Sequence, residues 1–327
     1  MIDLHAHILP GLDDGPEDMD ESLEMCRIAE RDGIHTIVAT PHINPGYYEP
    51  SRDTILSRVD ELNKILSRSF LFKPLPIAHR PLPVFSRLSR SSRFSRTNRP
   101  DRPDDQTDQT DQISRLSRSS RPSPLSPLSP LSRPSRPSRF IIKEIDEINQ
   151  INQPNQINLK VLPGSDLHLD PLLGQRLGMG ELLSINDNRR YIILELPDHF
   201  LLDPTREFIF DLKQRGITPI ISHPERNLLI QSNIDMLYEF IELGALSQLT
   251  AMSITGGFGK KVKALAQTFL RLNLTHIIAS DAHSSAQRQP VLSGAFKEAS
   301  KIIGRENAWK MVSVTPLAII EGKTIRY

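Results

Sequence analysis

Short apolar runs recur along the chain, and each ends in polar residues. They read "MIDLHAH", "HTIVATPH", "LKVLPGSD", "YIILELP", "TPIISHPERN", "LSQLTAMS" and "THIIASDAH". Brief runs rich in Ile, Val and Leu are the mark of strands buried on both faces. Between most of them the apolar spacing changes to three and four. "DMDESLEMCRIAERDG", "ILSRVDELNKILS", "DPTREFIFDLKQRG", "IDMLYEFIELG" and "KKVKALAQTFLRLN" each predict a helix with one apolar face. In the second, Ile55, Val59, Leu62, Ile65 and Leu66 share that face. Several of these segments end in Gly or Asn, residues that close helices readily. Strand–helix alternation with buried strands predicts a parallel α/β architecture. Seven such strands favour a barrel over an open sheet, and in a parallel barrel the chemistry gathers where strands end.

From about residue 68 to about residue 155 this patterning breaks. "SRLSRSSRFSR", "DQTDQTDQ", "SRLSRSSRPSPLSPLSPLSRPSRPSR" and "INQINQPNQIN" repeat with a period of three. Neither helix nor strand is built on that period, and the prolines prevent continuous backbone ladders. The segment is expected to be a disordered or polyproline-like insert at 68–155, with "FIIKEIDEINQI" as a short helical pattern inside it. The helix before it and the strand "INLKVLPGSDLHL" after it would otherwise join directly. Residues 1–67 and 156–327 are therefore expected to form a single domain, with the insert in a surface loop.

Charge and composition sharpen this picture. The formal net charge of +1 averages two unlike parts, because arginines concentrate between residues 68 and 139 and leave the remainder of the chain acidic by roughly nine charges. An Arg/Ser-rich tether for nucleic acid is one reading of the insert. It lacks interleaved aromatic platforms apart from a few Phe, so no specific nucleic-acid partner is expected. One cysteine excludes an internal disulfide and a CxxC zinc framework. With no run of 18 apolar residues and no charged-then-apolar leader, a cytoplasmic protein is expected.

The strand ends carry the candidate chemistry. His5 and His7 stand two apart, a spacing that places both rings on one face of a strand. Asp14 follows a Pro10-Gly11 turn that can bring it back toward them. His42, Asp166, Glu195 and His223 each end a strand, and Asp281 and His283 end another in "IIASDAH". A lone strand-end histidine is most often a hydrogen-bonded structural residue. Five His and four carboxylates on one rim point instead to metal ligation. Mixed N/O donors without thiolate suit Mn²⁺, Fe²⁺ or Zn²⁺, and nine side chains suit two or three ions sharing a carboxylate. His35 and His276 read as strand-start residues on the far side, His79 as insert, and His168 and His199 as residues near the rim. Arg226 in "SHPERN" and Arg288 in "SDAHSSAQR" suit a tetrahedral oxyanion. Metals and arginines together predict a phosphate substrate, attacked by a metal-activated hydroxide, and a phenolate leaving group would need little general acid. Cys26 lies on an apolar helix face without a phosphate cradle, and "TGGFGKK" lacks P-loop spacing and reads as a loop near the rim.

These motifs together resemble the PHP (polymerase and histidinol phosphatase) superfamily. They are most similar to its bacterial branch of metal-dependent protein-tyrosine phosphatases from capsule and exopolysaccharide operons. The resemblance rests on "DLHAHILPGLDDGP", "TIVATPHINPGYY", "YIILELP", "PIISHPERN", "LTAMSITGGFGKK", "IIASDAH" and "PLAIIEGKTI", and spans everything but the insert. It implies a distorted seven-stranded (β/α) barrel with three ions, often Mn²⁺. By the same resemblance His5, His7 and Asp281 would bind one ion, Glu195 and His223 a second, and Asp166 would bridge the two. Asp14, His42 and His283 would bind the third, and Arg226 and Arg288 match phosphate-binding arginines. The implied substrate is the phosphotyrosyl tail of a membrane-associated tyrosine autokinase that controls polysaccharide export. Two features depart from the family: Asp166 stands where Glu is usual, and the insert separates the second helix from the strand bearing Asp166. A small-molecule phosphatase acting on histidinol phosphate, and a non-catalytic metal- or nucleic-acid-binding protein, are the alternative readings.

Overall fold

The computed structural model describes residues 1–68, 157–199 and 204–325. The insert expected at 68–155 lies outside these residues, apart from Arg68 at the end of a helix. The described strands are β1 (Ile2–Ala6), β2 (Thr36–Ala39), β3 (His42–Ile43), β4 (Lys160–Pro163), β5 (Asp166–His168), β6 (Tyr191–Glu195), β7 (Thr218–Ser222), β8 (Leu246–Thr250) and β9 (Ile277–Ala279). The helices are α1 (Met19–Arg31), α2 (Arg52–Arg68), α3 (Leu173–Met179), α4 (Thr205–Gln214), α5 (Leu228–Ser232), α6 (Asp235–Glu242), α7 (Ala251–Thr255), α8 (Gly259–Arg271), α9 (Ser293–Ile303), α10 (Arg305–Trp309) and α11 (Thr315–Ile320).

All ladders between named strands are parallel, as the βα alternation requires. The described residues do not close into the expected distorted seven-stranded (β/α) barrel. They form two sheets, β1-β2-β4 and β3-β5-β6-β7-β8-β9, and no continuous ladder closes them. Two of the expected strands are each broken in two, and their halves pair in different sheets. Pro41, which has no N–H to give a ladder, separates β2 from β3. Gly164 separates β4 from β5, where a Cβ would meet Val38 Cγ1 at 2.8 Å. An isolated bridge between Ala6 and Ala282 joins β1 to the chain after β9.

Side-chain alternation divides the core. Ile2, Leu4, Val38, Leu162, Tyr191, Ile193, Ile220, Leu246 and Ile277 pack together, with Ile319 and Ile320 of α11 against them. The opposite strand faces, including Ile37, Ile192, Leu194, Ile221 and Ile278, pack against the helices. Helix α1 starts where the Asp18 side chain accepts from Glu21 N–H, and it buries Met25, Cys26 and Ala29. Burial pushes the Cys26 thiol up to about 12, far from the reactive thiolate range. Helix α2 buries Ile55, Val59, Leu62 and Leu66, and its Asn63 exchanges two hydrogen bonds with the Val161 backbone of β4. Among the described residues no helix is long and apolar enough to cross a membrane.

Candidate metal centre

Strand register brings the predicted residues together. His42 lies opposite Asp166, and His168 opposite Glu195, in neighbouring parallel strands. The register of β1 shifts between Asp3 and Ala6, which interrupts strict alternation. Leu4 therefore joins the inner core while His5 and His7 reach the carboxylates at the strand ends. His223 and Asp281, just beyond β7 and β9, hold positive φ values of 34° and 52°. Non-glycine residues in that region are strained, and such strain gathers at functional sites.

Seven of the nine residues fall into three overlapping groups whose donor atoms lie within 4.8 Å of one another. These are His5, His7 and Asp166; His42, Asp166 and Glu195; and His7, Asp14, His42 and His283. His223 and Asp281 stand beside the groups rather than in them. His223 Nε2 lies 3.4 Å from Glu195 Oε1, and Asp281 Oδ1 lies 3.6 Å from both His5 Nε2 and His7 Nε2. Asp281 Oδ2 is taken by two cations, Arg226 Nη1 and, at 2.6 Å, Arg288 Nη2. Asp166, which stands where the resemblance expects the longer Glu, contacts both His5 and His42.

The donor atoms fit a divalent cation. His7 Nδ1 lies 2.6 Å from Asp13 Oδ2, and His5 Nδ1 lies 2.8 Å from Gln248 Oε1. Both acceptors require the proton on Nδ1, so the neutral rings turn bare Nε2 lone pairs toward each other at 3.1 Å. Two lone pairs so close demand a proton or a metal ion between them. Asp166 is wholly buried, and among the described residues neither of its carboxylate oxygens has a hydrogen-bond partner. A buried carboxylate without a hydrogen bond is costly unless cations meet it, here the His5 and His42 rings in the metal-free protein or a metal ion.

Protonation in the metal-free protein follows from the same geometry. Burial pulls the His5 pKa down, but Asp166 and Asp281 outweigh it and push it up to about 9. Burial pulls His42 down in the same way, but Asp166 and Glu195 outweigh it and push it up to about 9. His7 is held well below its ordinary value by burial and by His283, His42 and His5. Burial would raise Asp166, yet His5 and His42 keep it well below the usual carboxylate range. Asp281 is depressed in the same way, with burial opposed by His5, His223, Arg288 and Arg226.

Several contributors escaped the sequence reading. Asp13 and Asp14 are adjacent and alike, and only Asp14 was singled out. Asp13 accepts from the His42 and Gly15 backbone N–H groups as well as orienting His7. A Cβ on Gly15 would meet His7 O at 2.9 Å and Asp13 Oδ1 at 3.0 Å, so this turn takes only glycine. Gln248 sits mid-strand in an apolar run, and Asp3 accepts from Ser280 N–H behind the site. His168 Nδ1 lies 3.7 Å from Glu195 Oε2, at the margin, and His199 is exposed. His276 accepts from Ser247 N–H, which supplies it with a structural role. Asp13→Ala is expected to weaken Mn²⁺ binding about 10–100-fold, because His7 loses the partner that fixes its tautomer. Calorimetric titration of the stripped protein reads this, and an unchanged isotherm removes Asp13 from the role.

Comparison with known proteins adds to this geometry. A family model described as capsular polysaccharide synthesis, CpsB/CapC, matches residues 1–71 and 127–321. The chain is 30% identical over 325 residues to tyrosine-protein phosphatase YwqE of Bacillus subtilis (strain 168), covering 99% of this chain and 93% of that protein. It is 24% identical over 332 residues to tyrosine-protein phosphatase CpsB of Streptococcus pneumoniae, covering 99% and 100% of the two chains. A chain from the crystal structures of YwqE from Bacillus subtilis and CpsB from Streptococcus pneumoniae, described as unique metal-dependent tyrosine phosphatases, matches with a TM-score of 0.69 at 29% identity. That match covers 100% of this chain and 96% of the other. The chain belongs to the CpsB/CapC family of capsular polysaccharide synthesis.

Proposed function

We propose that this chain is a metal-dependent phosphatase that hydrolyses phosphotyrosine on a protein. The observation that carries the reading is the meeting of two guanidinium groups with the edge of a His/carboxylate cluster, at Asp281. Its relatives named as tyrosine-protein phosphatases support it. His5, His7, Asp14, His42, Asp166, Glu195, His223, Asp281 and His283 would hold two or three ions, with Mn²⁺ the proposed metal. When bound, such ions activate water at neutral pH and neutralise charge on a phosphoryl group.

The chain's own residues would do the rest. Asp13 and Gln248 hold the proton on Nδ1 of His7 and His5 and so keep each Nε2 free to bind. Arg226 and Arg288 would take the phosphate oxygens by charge-assisted hydrogen bonds. Arg288 Nε is buried and has no hydrogen-bond partner among the described residues. A tyrosyl oxygen leaves as a phenolate with a pKa of about 10, which asks little of a general acid. The partner we propose is the phosphotyrosyl tail of a membrane-associated tyrosine kinase that controls polysaccharide export, met in the cytoplasm. We further propose that residues 1–67 and 156–327 form the catalytic unit and that the low-complexity insert is dispensable.

A metal-by-substrate panel tests this reading. Phosphate release from a phosphotyrosyl peptide is expected to need Mn²⁺ and to exceed release from histidinol phosphate by at least about tenfold. The chain lacking residues 69–155 is expected to match the full chain. Faster turnover of histidinol phosphate, or metal-independent release, would overturn the assignment.

A further inference from the structure

The glycine-rich run "TGGFGKK" is not absorbed by the metal cluster, yet it borders the two arginines. The Phe258 ring centroid lies 4.8 Å from Arg226 Cζ and 5.9 Å from Arg288 Cζ. Three glycines surround this one aromatic residue. Gly256 and Gly259 have φ values of +105° and +89°, which L side chains rarely adopt, and a Cβ on Gly257 would meet Met252 Cε at 2.6 Å. The loop is therefore built to turn tightly, and the side chain it carries at the arginines is a half-buried phenyl ring.

We propose that Phe258 forms the wall against which the substrate's aromatic ring packs, so that the site selects aryl over alkyl phosphomonoesters. This rests on the reading of the site as a phosphotyrosine phosphatase. A phosphate held by Arg226 and Arg288 places its ester group one bond beyond their reach. The Phe258 ring lies beside both guanidinium groups, so a phenyl ester on that phosphate would project next to it, and aromatic pairs form at centroid separations of about 4.5–7 Å. The same ring face attracts the cations themselves, which keeps both guanidinium groups beside it. Phe258 thus offers apolar surface at a part of the rim where charge otherwise dominates. An alkyl ester such as phosphoserine has no ring with which to use that surface.

Calorimetric binding of phenylphosphonate and methylphosphonate to the Mn²⁺-loaded protein tests the wall without relying on turnover. The wild type is expected to prefer phenylphosphonate by about tenfold. Phe258→Leu is expected to reduce that preference to under about threefold, and Phe258→Tyr to keep it. A Phe258→Leu protein that retains the full preference overturns the proposal, including the case where both ligands weaken equally because the ring only steadies the arginines. Turnover of a phosphotyrosyl peptide, measured in parallel, separates the two readings. A wild type that hydrolyses the peptide but shows no phenyl preference overturns the wall alone, whereas one that releases no phosphate overturns the phosphatase reading.

Discussion

Asp281→Asn is expected to lower turnover of a phosphotyrosyl peptide by about a thousandfold or more, the largest loss from any single substitution in this protein. The carboxylate meets five groups at once. Oδ1 lies 3.6 Å from His5 Nε2 and from His7 Nε2 and 3.7 Å from His283 Nδ1. Oδ2 carries the ion pairs with Arg226 and Arg288. Asn keeps the shape and a carbonyl oxygen but removes the negative charge, which draws Arg226 and Arg288 and would draw a metal ion. The metal-free variant is also expected to be less stable, because Arg226, Arg288 and His5 then share a cavity with one compensating charge fewer. His5 would lose one of the two carboxylates that raise its pKa, so its pKa is expected to fall from about 9. Phosphate release and bound-metal content, measured at a temperature where circular dichroism shows the variant folded, read the result. Turnover within tenfold of the wild type would remove Asp281 from the centre.

How much of this was legible from the chain depends on what the patterns encode. Apolar runs ending in His, Asp or Glu placed His5, His7, His42, Glu195 and Asp281 at strand ends, because parallel strands point their carboxyl termini the same way. Periodicity does not say which of two neighbours turns inward. Asp13 and Asp14 are chemically identical, and only the turn closed at Gly15 sends Asp13 behind His7 and Asp14 toward His42 and His283. Gln248 was hidden because one polar residue in "LSQLTAMS" looks like a tolerated interruption rather than the partner of a distant imidazole. The broken strands did carry a signal. Pro41 lies inside "HTIVATPH", and Gly164 inside "LKVLPGSD", the residue types that end ladders. Helix α9 was missed because alanines form its buried face, Ala295 and Ala299, with Phe296 only half-buried. Small residues on a close-packed helix face give a weak periodic signal.

Stripping the metal with a chelator is expected to bring phosphotyrosyl turnover to background, and reloading with Mn²⁺ to restore it with a steep dependence on pH. The sign follows from which atoms the ions and the protons share. In the metal-free protein His5 and His42 both titrate at about 9, raised by the carboxylates they touch despite their burial. At pH 7 both rings are therefore protonated, and an ion that uses them must first displace those protons. His7 is held well below its ordinary value and presents no such competitor. Loading that engages both rings should weaken as pH falls below about 9, by up to about a hundredfold per pH unit where both protons leave. Stability of the metal-free protein should run the other way. A histidine with a raised folded-state pKa contributes stability that is fully present below about 6.5 and is lost as pH rises through about 9. Alkaline conditions therefore loosen the stripped protein while favouring its reloading, and the gain in melting temperature on adding Mn²⁺ should grow between pH 6.5 and 9. Thermal melts with and without metal across that range, with bound metal quantified in each sample, check both halves. A gain independent of pH would mean that the ions do not compete with protons at His5 and His42.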